Sequence, residues 1–91
     1  MALPQEKQLT WADFKARMAM IQAEQRARMF STAPANVRRH VEHEVRRGYS
    51  LDEACDLVLE RIVEGRAPVD YVALTRRILK EIGWTPKRER A

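Results

Sequence analysis

This 91-residue sequence has a single cysteine, no long apolar run and no segment near its start that resembles a signal peptide. The single cysteine, Cys55, excludes an intrachain disulfide framework. No run of about 18 apolar residues occurs, so we expect no transmembrane helix and no membrane partner. The first ten residues lack the apolar region of a secretory signal peptide. Together these absences predict a cytoplasmic protein.

Glycine and proline are also few, with three and four copies, and most stand where a helix would begin or end. No segment alternates between apolar and polar residues, and no Asn-Gly or Asp-Gly turn occurs, so strands are not expected. Hydrophobic residues make up 45% and charged residues 33% of the chain. This balance is typical of a folded, charge-rich helical protein rather than a disordered one.

Helix boundaries can be placed from apolar periodicity and from capping residues. Thr10 with Asp13, and Ser50 with Glu53, have the spacing of N-terminal capping boxes. The segment "STAPAN", with Pro34 as a first helical residue, is expected to separate two helices. The predicted C-terminal stops are Gly48, Gly65 and Gly83. We therefore predict an all-α bundle of three to four helices, at about 11–30, 34–47, 51–64 and 68–82.

The same boundaries predict the domain organisation. The helices would form a single helical domain over residues 11–83. A flexible N-terminal arm would precede it over residues 1–10, and a basic C-terminal tail would follow it over residues 84–91.

Charge is unevenly distributed along the chain, whose net charge is +4. Residues 50–64 carry five acids and one base, although the chain as a whole is basic. Four of these acids are spaced 3, 4 and 4 residues apart and would align on one side of a helix. We call them the acidic ridge: Glu53, Asp56, Glu60 and Glu64. The ridge could dock a basic protein partner, or the chain's own arginines could cover it.

The predicted helix 11–30 has two apolar sides, whereas a surface helix needs only one. The large apolar stripe consists of Trp11, Phe14, Met18, Ile21 and Met29. The alanine stripe consists of Ala12, Ala16, Ala19, Ala23 and Ala27, with Met20 at its edge. We expect the large stripe to face the bundle and the alanines to admit a close helix from a partner. That partner could be a second copy of the chain, forming a homodimer. Alternatively, the alanines are helix formers on a solvated surface.

The predicted helix 68–82 and the tail carry most of the remaining bases. These candidate phosphate contacts are Arg66, Arg76, Arg77, Lys80, Lys87, Arg88 and Arg90. Such clustering favours nucleic-acid binding. A solvated or acid-paired face is the alternative.

Catalytic signatures are not evident. His40 and Glu44 are four residues apart, but neither H-E-x-x-H nor E-x-x-H occurs, so no metal is expected. Cys55 lies among apolar residues, which favours burial over reactivity. We therefore expect no enzyme, no cofactor and no small-molecule substrate. The predicted function is a small regulatory or adaptor protein that binds a protein partner or itself through the alanine stripe and the acidic ridge. The alternative is a DNA- or RNA-binding regulator.

Overall fold

Residues 10–90 are described by a computed structural model, and their regular structure is entirely helical. Helix α1 spans Trp11–Arg46, α2 spans Leu51–Glu64 and α3 spans Val69–Ile82, with a short 3₁₀ helix at Lys87–Glu89. No strand occurs within residues 10–90, so the all-α prediction is confirmed. The predicted N-terminal arm lies outside the described residues, apart from Thr10. None of the described helices combines the length and the apolar character that crossing a membrane requires.

The predicted break between residues 30 and 34 is wrong, because α1 runs through Pro34 without interruption. A proline inside a helix removes one backbone donor and costs about 3 kcal/mol. Burial beside it opposes this cost, since Ala33 and Val37 are both fully buried. One turn is also bridged by the Asn36 side-chain amide, which lies 3.4 Å from Thr32 Oγ1.

The chain divides after Ser31 into two compact units. The first contains the N-terminal half of α1, and the second contains the rest of α1 with α2, α3 and the 3₁₀ helix. The buried core belongs to the second unit and comprises Ala33, Val37, Val41, Ala54, Cys55, Val58, Ile78, Leu79 and Trp84. Cys55 is fully buried, as predicted. Burial, together with the nearby Asp52 and Asp56 carboxylates, raises the pKa of its thiol to about 11.

Both predicted capping boxes are present. The Asp13 N–H donates to Thr10 Oγ1 at 3.1 Å, and the Thr10 N–H donates back to Asp13 Oδ2 at 3.2 Å. At the start of α2, the Glu53 N–H donates to Ser50 Oγ at 3.2 Å, and this hydroxyl donates to Glu53 Oε1 at 2.9 Å. These bonds satisfy N–H groups that the first turn of a helix leaves without intrahelical partners.

All three predicted glycine stops are also confirmed, since α1 ends two residues before Gly48, and Gly65 and Gly83 are the C-cap residues of α2 and α3. Gly48 and Gly83 have φ values of +106° and +120°, a region in which side chains are strained. After Gly83, the Trp84 N–H donates to the Leu79 carbonyl at 2.9 Å. This is the bonding of a Schellman motif, and the Trp84 and Leu79 side chains both belong to the buried core.

The end of α2 differs, because its left-handed residue is Arg66 rather than Gly65. Arg66 has a φ of +57°, whereas Gly65 has a φ of −72°. The Arg66 N–H donates to Val63 and the Ala67 N–H donates to Ile62, so the hydrogen bonds are again those of a Schellman motif. A side chain thus occupies a backbone conformation that glycine adopts at lower cost.

Candidate interaction surfaces

The N-terminal half of α1 presents its apolar side chains to solvent. Every residue from 11 to 28 is exposed. In the large apolar stripe the exposed fractions are 68% for Trp11, 50% for Phe14, 39% for Met18 and 44% for Ile21. The expectation that this stripe faces the bundle is therefore wrong. The core takes residues from α1 only from Ala33 onward.

The large stripe is locally ordered by aromatic contacts. The Trp11 and Phe14 rings stack with their centroids 5.3 Å apart and their planes 20° from parallel. The Lys15 ammonium lies 5.7 Å from the centroid of the Trp11 ring. The stacked rings form one contiguous apolar surface near the start of α1. The alanine stripe is exposed as well: Ala16, Ala19, Met20, Ala23 and Ala27.

The four residues of the acidic ridge differ in their contacts. Glu53 belongs to the capping box of α2. Asp56 accepts hydrogen bonds from Trp84 and Arg90. Glu60 Oε1 lies 4.0 Å from Lys87 Nζ, and Glu64 is exposed.

Asp56 is the centre of a group that fixes the C-terminal residues on α2. The tail clasp, as we call it, consists of Asp52, Asp56, Trp84, Thr85 and Arg90. Trp84 Nε1–H donates to Asp56 Oδ1 at 2.9 Å, and the Arg90 guanidinium donates to both oxygens of Asp56 at 2.9 and 3.0 Å. Asp52 Oδ1 accepts the Thr85 N–H at 2.9 Å, and Arg90 Nε donates to the Thr85 carbonyl at 2.8 Å.

The clasp also sets the ionisation of its members. Burial by itself raises the pKa of Asp56, but hydrogen bonds from Arg90 and Trp84 outweigh this effect and leave that pKa below its ordinary value. The hydrogen bond to Asp56 raises the pKa of Arg90 in turn. Asp56 and Arg90 are therefore both ionised at neutral pH. Their bidentate geometry is that of a strong arginine–carboxylate contact.

The predicted nucleic-acid contacts differ in their surroundings. Arg90 is engaged by Asp56, and Lys87 lies beside Glu60. The remaining bases are exposed: Arg66, Arg76, Arg77, Lys80 and Arg88. An open hollow of about 600 Å³ is lined by Arg76, Lys80, Lys87 and Arg88, but also by Glu60 and Glu89. Its charge is thus mixed rather than uniformly positive.

Glu44 is a buried charged residue that the sequence analysis did not predict as buried. Its side chain is almost fully buried, and its carboxylate accepts hydrogen bonds from Arg61 Nη1 at 2.8 Å and Arg47 Nη1 at 3.1 Å. The bond from Arg61 is the main cause that lowers the pKa of Glu44, against the effect of burial. The signal available in sequence was its spacing, since Glu44 continues the buried side of α1 after Val37 and Val41.

His40 and Glu44, which are four residues apart, have different surroundings in the structure. The Glu44 carboxylate faces two guanidinium groups, and His40 is exposed. Across residues 10–90, no three histidine, cysteine, aspartate or glutamate side chains are grouped so as to hold a metal ion.

The chain has no significant match among protein-family models, curated proteins or solved structures.

Proposed function

We propose that this chain is a non-enzymatic regulatory or adaptor protein that binds another protein molecule through the N-terminal half of α1. The observation that carries the proposal is the exposure of every residue from 11 to 28, including four members of the large apolar stripe: Trp11, Phe14, Met18 and Ile21. Contiguous exposed apolar patches on soluble proteins mark interaction sites. Aromatic residues and methionine are also enriched at protein–protein interfaces.

The acidic ridge has a smaller place in this proposal than the large stripe. Asp56 is engaged in the tail clasp, and Glu60 lies next to Lys87. A partner that displaced Arg90 from Asp56 would have to replace a bidentate hydrogen-bonded ion pair. Glu53 and Glu64 are exposed, so they are the members of the ridge that a basic partner could contact without displacing Arg90 or Lys87.

Nucleic-acid binding is the second candidate, favoured by the exposed bases of α3 and the C-terminal residues. Arg76, Lys80 and Arg88 line the same hollow, and a phosphate backbone could follow such a group. Glu60 and Glu89 oppose this, because they place negative charge beside the same bases. Binding of this kind would weaken steeply as the salt concentration rises.

The two candidates can be separated by affinity purification from the native cell, with and without nuclease. Phe14→Glu places a charge in the large stripe, whereas Arg76→Glu reverses a charge on α3. Both positions are exposed, so each variant should keep its fold, as circular dichroism would verify.

We expect a co-purifying protein, or a second copy of the chain, that resists nuclease. It should be lost with Phe14→Glu and retained with Arg76→Glu. Bound material that disappears with nuclease and with Arg76→Glu, but not with Phe14→Glu, would favour the nucleic-acid function instead.

A further inference from the structure

The large apolar stripe has the spacing of a coiled-coil seam. Trp11, Phe14, Met18 and Ile21 follow one another at intervals of 3, 4 and 3 residues. This is the alternation by which two helices keep one side in contact along their length. The next positions in this pattern are the polar residues Gln25 and Arg28, so the pattern spans about 18 residues, or roughly 27 Å of helix, and its apolar part ends at Ile21.

Charged residues flank this seam, and their order along α1 determines in which direction a second helix could pair with it. Arg17 and Glu24 are seven residues apart, so they lie on the same side of α1, next to the large stripe. Both are exposed. On the opposite flank the corresponding positions hold Lys15 and Gln22. One flank therefore carries a base in its first half and an acid in its second.

The charges of Arg17 and Glu24 are complementary to those of a second copy only when the two helices run antiparallel. If two copies paired in parallel, Arg17 would face Gln22 of the second copy, and Glu24 would face its Met29. If they paired antiparallel, the same flanks would meet. Arg17 of each copy would then face Glu24 of the other, so two opposite-charge contacts would form by symmetry. Charge complementarity therefore selects an antiparallel pair of identical chains.

We propose that two copies of this chain associate through their large apolar stripes as an antiparallel, two-fold symmetric pair. Met18 of each copy lies opposite Ile21 of the other, and Phe14 lies opposite Gln25. This arrangement removes the exposed centre of the stripe from water. The proposal rests on the proposed function, because it takes the same part of α1 as the binding surface and identifies its occupant as a second copy.

A pair of charge reversals tests both the occupant and the direction. In Arg17→Glu each copy presents two acids on this flank, and in Glu24→Arg each copy presents two bases. Two attractive contacts thus become two repulsive ones in either homodimer, so we expect the dissociation constant to rise about tenfold or more. Mixed together, the two variants restore both attractive contacts. The double variant Arg17→Glu/Glu24→Arg restores them within one sequence.

Sedimentation over a concentration series measures this association. We expect wild type, the equimolar mixture and the double variant to dimerise with similar affinity, and each single variant to dimerise more weakly. Thermal unfolding of each variant checks that the fold is retained. A mixture that associates no better than its components would overturn the antiparallel arrangement, as would a wild type that is monomeric throughout.

Failure here can be distinguished from failure of the proposed function. A monomeric wild type that still captures a different protein, and loses it with Phe14→Glu, would refute self-association and leave the proposed function standing. A dimer that forms as well with Phe14→Glu as without it would place the contact between copies outside the large stripe and overturn the antiparallel pair. The proposed function would fail separately, if no captured protein were lost with Phe14→Glu.

Discussion

The two halves of α1 belong to one helix but have different surroundings. From residue 11 to residue 28 every side chain is exposed, whereas Ala33, Val37 and Val41 are buried in the core. The exposed half carries the larger apolar residues, including Trp11 and Phe14. The buried half contributes only one alanine and two valines to the core. Apolar size alone therefore does not determine which side of a helix is buried. What determines it is whether another element of the same chain is available to cover that side.

The strongest test of this difference is to truncate one aliphatic side chain in the buried core and one in the exposed half of α1. Leu79 is fully buried, so Leu79→Ala should lower the free energy of unfolding by about 2–5 kcal/mol. Ile21 is 44% exposed, and Ile21→Ala should change the stability of the dilute protein by less than about 1 kcal/mol. Urea unfolding followed by circular dichroism measures both.

The comparison would break if Ile21→Ala were as damaging as Leu79→Ala in dilute solution. Such a result would mean that part of the large stripe is packed against the same chain. A loss that appears only at high protein concentration would instead agree with self-association, since the stripe is then buried between two copies.

A second, smaller effect should separate two arginines in the C-terminal residues. Arg90 holds Asp56 through two hydrogen bonds, whereas Arg88 is exposed on the same segment. We expect Arg90→Ala to lower the melting temperature clearly and Arg88→Ala to leave it almost unchanged. Removing Arg90 leaves the largely buried Asp56 carboxylate with two hydrogen bonds fewer.

The difference between these variants should depend on pH. The folded-state pKa of Asp56 is lowered, so its stabilising effect is present above the ordinary carboxyl pKa of about 4. It is lost as the pH falls through the lowered value, because the carboxyl then becomes protonated in the folded state too. Glu44 has the same sign. Melting curves should therefore show Arg90→Ala approaching wild type in strong acid, while a gap that persists there would exclude the ion pair as its cause.

The smallest expected effect lies at the end of α2. Arg66 occupies a left-handed conformation, and glycine adopts it with less strain. Arg66→Gly should raise the free energy of unfolding by roughly 0.5–1 kcal/mol. Gly48→Ala is the matched control, because its backbone is also left-handed and a methyl group there meets no atom within 4 Å. It should destabilise by a comparable amount, and equal signs for the two changes would contradict this explanation.

Local signals in the sequence predicted the ends of the helices well. The side chains of Thr10 and Ser50 bond only three residues ahead, so their pattern is visible without knowledge of the fold. The same holds for Gly48 and Gly83, whose conformation follows from the turn itself. The predicted break at Pro34 is wrong because the free-energy cost of a proline inside a helix is outweighed by the burial of Ala33 and Val37. That burial depends on the other helices, so it is not visible in the local sequence.

Contacts between distant residues were not predictable in the same way. Asp56 and Arg90 are 34 residues apart, and nothing near either residue identifies its partner. Glu44 could have been recognised as lying on the buried side, but charged residues are rarely buried without a partner, and Arg61 is 17 residues away. The spacing of the acidic ridge is visible in the sequence, whereas the contacts of Asp56 and Glu60 with Arg90 and Lys87 depend on how the C-terminal residues fold back on α2.

The placement of the two tryptophans gives each region its own optical reporter. Trp11 is 68% exposed in the first unit, and Trp84 is 6% exposed in the second, where its ring nitrogen donates to Asp56. Indole emission moves to longer wavelengths in water, so the two residues contribute distinguishable parts of the fluorescence spectrum. Trp11→Phe leaves a chain whose emission follows the core and the tail clasp alone. Trp84 can then be used to monitor folding without interference from events on the exposed half of α1.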